Sequence, residues 1–120
     1  MANILVVDDQ MGVRRLLFET FKEDGHQVRM AGNGNEALRS LGEFQPDLII
    51  MDMKMPEMNG IDTLKEIRTF DNKVKVIMMT AYGDAQIMEK AKEQGVEHYI
   101  NKPFDLFELR DYVRKLLECS

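Results

Sequence analysis

Five chemically capable residues stand far apart in the 120-residue chain: Asp8 and Asp9 in "VVDD", Asp52 in "LIIMDMK", Thr80 in "IMMTAYG" and Lys102 in "YINKPFD". Taken singly, each has an ordinary explanation. An aspartate after a strand commonly caps the next helix, and a threonine or lysine there is commonly unremarkable. Together they make three carboxylates, a hydroxyl and an ammonium, each closing a short apolar run. Carboxylates within a few ångströms repel, so such a group holds protons or recruits a cation. Hard oxygen ligands in an incomplete cage suit Mg²⁺, which keeps waters and accepts a phosphate oxygen. Lys102 would add a point charge, and Thr80 a hydrogen bond to a phosphoryl oxygen. Aspartate is also a nucleophile in covalent phosphoryl transfer. Asp52, alone at the end of its run with the other two acids beside it, is the candidate for that role.

The elements that would bring these residues together can be read from periodicity. Five apolar runs, Ile4–Asp8, Gln27–Ala31, Asp47–Met51, Val74–Met79 and Glu97–Ile100, are predicted strands, and longer amphipathic segments alternate with them. Val13, Leu16, Leu17 and Phe21 form a helical stripe in the first segment; Leu106, Leu109, Val113, Leu116 and Leu117 form one in the last. Asn33 with Glu36 and Asp105 with Glu108 are spaced as capping boxes, and Gly25 and Gly95 fall where helices end on glycine. Alternating βα units predict a doubly wound five-stranded parallel sheet covered by five helices, of class α/β. Ligands of such sheets bind beyond the carboxyl ends of the strands, which is where the five residues lie. No repeat or linker interrupts the pattern, so residues 1–120 are expected to be a single domain with no output domain after it.

Composition narrows the partners. A net charge of -5 argues against nucleic acid and for a cation or a basic protein surface. No apolar run approaches the roughly 20 residues of a membrane span, and Asp8 and Asp9 break the first run too early for a signal peptide. One cysteine, Cys119, excludes an internal disulfide. A cytoplasmic protein is expected.

Competing motifs are weak. "GNGNEA" follows the second run and reads as a turn and helix start, and no GxxxxGK loop occurs. Ser40 and Ser120 are poorly placed as nucleophiles, and His26 and His98 share no metal-ligand spacing. Most of the ten methionines read as core, with Met11, Met55 and Met58 on loops facing the acidic edge and open to a partner.

The acidic pair, Asp52, Thr80 and the Lys102–Pro103 step together resemble the receiver domain of bacterial two-component response regulators, over the whole chain. That resemblance implies the flavodoxin-like strand order 2-1-3-4-5. It also implies that Asp52 accepts a phosphoryl group from a phosphohistidine on a sensor histidine kinase, a phosphotransferase-like reaction rather than ordinary enzymatic turnover. Asp9, Asp52, the backbone carbonyl of Lys54, and Asp8 through water would hold Mg²⁺, for which Mn²⁺ or Ca²⁺ can substitute. Thr80 and Lys102 would contact the phosphoryl oxygens, and Thr80 with Tyr99 would form the switch.

"VVDDQMGVRRLL", "DMKMPEMNGID", "MTAYGD" and "KPFDLFELRDYVRKLL" are similar to the single-domain members that act in sporulation phosphorelays, although Tyr99 stands where those carry histidine. The resemblance therefore implies onward transfer to a histidine phosphotransferase built as a helical bundle, in sporulation initiation, with an aspartyl-phosphate phosphatase as a further partner. The alternative is a chemotaxis-type receiver that signals by binding a target once phosphorylated. Gln10, Met11, Gly12, Val13, Arg14, Tyr82, Gly83, Pro103 and Phe104 would form the docking surface of a monomer. Leu16 and Leu17 would join it, although only one of these two can face outward.

Overall fold

The structure is a computed structural model that describes residues 1–55, 59–80, 85–96 and 98–118. Strands and helices alternate: β1 (Asn3–Val7), α1 (Met11–Glu23), β2 (Gln27–Ala31), α2 (Gly34–Ser40), β3 (Leu48–Asp52), α3 (Gly60–Phe70), β4 (Lys75–Thr80), α4 (Ala85–Glu93), β5 (His98–Asn101) and α5 (Leu106–Glu118). All pairings are parallel and the strand order is β2-β1-β3-β4-β5. The fold is the doubly wound sheet that the sequence and its resemblance predict.

Strand limits move by a residue or two from the predicted ones. Asp52 belongs to β3 because it pairs with Met79, and Thr80 belongs to β4 because it pairs with Asn101. Asp8 lies just past β1, although its amide still donates to Ala31 O at 3.1 Å. Glu97, the predicted start of the fifth strand, is outside the described residues.

Period-two alternation divides the strand side chains between two cores. Leu5, Val7, Ile49, Met51, Val76 and Met78 face α2, α3 and α4. Ile4, Val6, Leu48, Ile50, Ile77 and Met79 face α1 and α5. β1 and β3 are flanked by strands and covered on both faces, which is why they read as unbroken apolar runs. Burying each such side chain contributes roughly 1.5–3 kcal/mol, enough to hold the strand ends in place.

The helix ends follow their local chemistry. Asn33 Oδ1 accepts from the Glu36 amide at 2.8 Å, and Asp105 Oδ1 accepts from the Phe107 and Glu108 amides at 2.8 and 3.2 Å. Gly25 and Gly95 take φ of 94° and 84°, conformations that a side chain would strain. "GNGNEA" is the turn into α2, with Gly34 its first residue. In α1, Leu17 and Phe21 are buried while Leu16 is 45% exposed, so Leu17 is core and cannot serve as docking surface. Met55 is buried as well, against its predicted exposure, because it packs into the α2–α4 core; Met58 lies outside the described residues.

Candidate functional site

The carboxyl ends of β1, β3, β4 and β5 converge. Asp8 continues the alternation of Ile4 and Val6, so its side chain turns to the α1/α5 face, where it is fully buried. Its Oδ1 accepts from the Gln10 amide at 2.8 Å and its Oδ2 from Lys102 Nζ at 2.7 Å. The N-cap of α1, Gln10, makes no side-chain cap bond of its own; Asp8 meets its amide with one oxygen and keeps the other for Lys102. Arg14 Nη1 donates to the backbone oxygen of Asp8 at 2.8 Å and fastens α1 to the end of β1.

Asp52 shares the parity of Leu48 and Ile50 and so faces the same way as Asp8; it is 8% exposed. Its Oδ2 accepts from Lys102 Nζ at 3.2 Å, and the Lys54 amide lies 3.3 Å from its Oδ1. Burial pushes the Asp52 carboxyl above the usual aspartate range. Lys102 counters that shift, and the negative charge of Asp8 reinforces it. Lys102 is itself held above the ordinary lysine range: burial pulls it down, but the hydrogen bond to Asp8 and the charges of Asp52 and Asp8 outweigh that. The ammonium thus bridges two buried carboxylates.

Asp9 is exposed, yet one oxygen each from Asp8, Asp9 and Asp52 lie within 4.8 Å of one another. Three hard anionic donors at that spacing, open to solvent on the Asp9 side, fit a small divalent cation that keeps part of its water shell. The chemistry of the donor set therefore suits Mg²⁺.

Thr80 has the opposite parity. It lies under the α2–α4 core side at 1% exposure, and its hydroxyl donates to Asn101 Oδ1 at 2.9 Å. Tyr99, also on that face, packs partly buried against the α2–α4 core. Its hydroxyl has two acceptors in reach, Val96 O at 3.1 Å and Met88 O at 3.2 Å, and burial raises its pKa. The Lys102 amide donates to Thr80 O at 2.7 Å, which extends the β4–β5 ladder one step past β5, and the Lys102–Pro103 peptide is cis.

Around this edge Gln10, Met11 and Gly12 are exposed, Met11 by 66%, with Val13 and Arg14 half-buried behind them. Pro103 is exposed and Phe104 packs partly into the α1/α5 core. Tyr82 and Gly83 lie outside the described residues. Two participants escaped sequence reading. Asn101, the acceptor for Thr80, was legible only through the β4–β5 register, and the close approach of Gly60 to β3 has no local sequence signal.

The sequence model of the family described as "Response regulator receiver domain" matches residues 4–114. The chain belongs to the receiver domains of two-component response regulators. This receiver domain is 46% identical over 114 residues to sporulation initiation phosphotransferase F of Bacillus subtilis, covering 95% of the chain and 92% of that protein. It is 42% identical over 117 residues to the regulatory protein AtoC of Escherichia coli, covering 98% of the chain but 25% of AtoC. Among solved structures, the receiver domain matches chemotaxis protein CheY4 of Vibrio cholerae with a TM-score of 0.90 at 28% identity, over 96% of this chain and 98% of that one.

Proposed function

We propose that this receiver domain is a phosphorelay intermediate whose phosphoacceptor is Asp52. The observation that carries the proposal is the placement of Asp52: at the end of the central strand, beside Asp8 and Asp9, with Lys102 Nζ 3.2 Å away. An Asp52 carboxylate oxygen attacks the phosphorus of a phosphohistidine. The new P–O bond forms as the P–N bond breaks, and the electron pair of that bond leaves with the imidazole nitrogen. The reverse reaction, toward a second histidine, hands the group on. Lys102 neutralises the phosphoryl oxygens, and Thr80 hydrogen-bonds them once its hydroxyl has turned from Asn101. Asp8, Asp9, Asp52 and the backbone carbonyl of Lys54 would hold Mg²⁺, which supplies charge neutralisation at the phosphoryl oxygens when bound. Tyr99 follows Thr80 as the second part of the switch, a shift of population within one fold.

The length-spanning likeness to the Bacillus relative supports a relay in sporulation initiation. The proposed partners are a sensor histidine kinase, a helical-bundle histidine phosphotransferase and an aspartyl-phosphate phosphatase, met in the cytoplasm by a monomer. They would dock on Gln10, Met11, Gly12, Val13, Arg14, Leu16, Pro103 and Phe104, joined by Tyr82 and Gly83. No described helix is long and apolar enough to cross a membrane.

A second reading, phosphorylation-dependent binding of a target, is favoured by the fold match to a chemotaxis protein and by the inward-held Tyr99. The deciding experiment mixes ³²P-labelled protein with purified histidine phosphotransferases. Label moving to a histidine supports the relay. Label that stays on Asp52 while a target binds more tightly supports the second reading.

A further inference from the structure

Thr80 and Asn101 are cross-strand partners in the parallel β4–β5 ladder, and both side chains lie on the face away from Asp8, Asp52 and Lys102. The Thr80 hydroxyl is sealed from solvent and has two acceptors in reach, Asn101 Oδ1 at 2.9 Å and Ile100 O at 3.4 Å. The second lies beyond the usual range for O–H···O bonds, so the Asn101 amide holds the rotor. A hydroxyl carries a single proton, and one given to Asn101 is not available to an anion on Asp52.

We infer that Asn101 is a positioning residue: it latches the Thr80 hydroxyl in a resting orientation that an anion at Asp52 must displace before Thr80 can engage it. The inference rests on the proposed role of Asp52 as phosphoacceptor. Asn101 is exposed at the strand end, so its amide is free to turn to water when Thr80 lets go. The latch therefore releases without opening the core. It also sits between Tyr99, two positions back on β5, and Lys102, the residue that follows the strand.

The test combines Asn101→Ala, Thr80→Val and the double variant. Each is titrated with beryllofluoride, a stable phosphoryl analogue, in the presence of Mg²⁺ and followed by NMR. In metal-free protein, the χ1-dependent scalar couplings of Thr80 are compared between wild type and Asn101→Ala. Loss of one competing hydrogen bond should tighten beryllofluoride binding roughly threefold in Asn101→Ala and leave it unchanged when Asn101→Ala is added to Thr80→Val. The Thr80 couplings should move toward rotamer averaging. Equal affinity for wild type and Asn101→Ala, or the same gain with and without the Thr80 hydroxyl, would overturn the latch. Unaltered Thr80 couplings would do so too. A wild-type protein that takes up no beryllofluoride at all would instead overturn the role of Asp52, and the latch with it.

Discussion

A Cβ placed on Gly60 would stand 2.7 Å from the backbone oxygen of Asp52. It would also meet Met53 Cα at 2.9 Å and Met53 O at 3.1 Å, all of them backbone atoms that cannot swing aside. The Gly60 amide donates to Met53 O at 2.9 Å, so the start of α3 is pressed against the end of β3. Gly60→Ala must push the two apart. The expected result is a loss of about 1–3 kcal/mol, by the usual cost of overpacking. It should appear as a lower urea midpoint together with slower phosphoryl uptake at Asp52. A variant as stable and as reactive as wild type would show that β3 and α3 can separate freely.

Asp52→Asn should abolish labelling by a small-molecule phosphoryl donor and leave the fold intact. It should also stabilise the protein at neutral pH. The folded carboxyl titrates above its ordinary value of 3.8, so ionised Asp52 is less favourable in the fold than in the unfolded chain. That penalty is complete above the raised folded value and gone below 3.8, and the gain from asparagine should follow the same course. Urea midpoints of both proteins at neutral and acidic pH check the sign.

Lys102→Ala leaves Asp8, fully buried, and Asp52 without their shared cation. The lysine side chain is only 20% exposed, so the loss should fall between those of surface and buried pairs, at about 2 kcal/mol. Mg²⁺ should restore more stability to this variant than to wild type, because the ammonium no longer competes for the carboxylates. Thermal melts with and without Mg²⁺ measure both effects. Equal Mg²⁺ responses would detach Lys102 from the cation site.

His26 Nδ1 accepts from the Ala2 amide at 3.0 Å, and its pKa lies below the ordinary 6.5, first through burial and then through the N-terminal ammonium. A lowered folded pKa means the unfolded chain takes the proton first. The stability it contributes is complete above about 6.5 and is lost as pH falls through the folded value. His26→Asn keeps an acceptor but does not titrate, and should flatten that part of the stability curve. An unchanged slope would assign it to other groups.

Much of this was legible in the residues. Unbroken apolar runs announced β1 and β3 because strands covered on both faces need no alternation. Asp8, Asp52, Thr80 and Lys102 were legible as polar ends to such runs. Less visible was the face each would take, since parity depends on the register between strands that are distant in sequence. The inward Thr80–Asn101 bond belongs to that class. Leu16 and Leu17 are adjacent on one stripe, and only the packed helix shows that Leu17 is core. Met55 is on a loop as read, but its burial was not legible because nothing local reveals that the α2–α4 core reaches beyond β3.

The two cores on either side of the sheet have a consequence for β5. Successive residues of this one strand and its extension alternate between compartments: Tyr99 packs on the α2–α4 core and Ile100 on the α1/α5 core, while Lys102, one step past β5, reaches Asp8 and Asp52. Two compartments are thus served from a single ribbon of backbone. Deleting one residue between Tyr99 and Lys102 would bring the phenol and the ammonium to the same side of the sheet. The length of β5, counted in residues, is therefore as much a part of the signalling machinery as any side chain it carries.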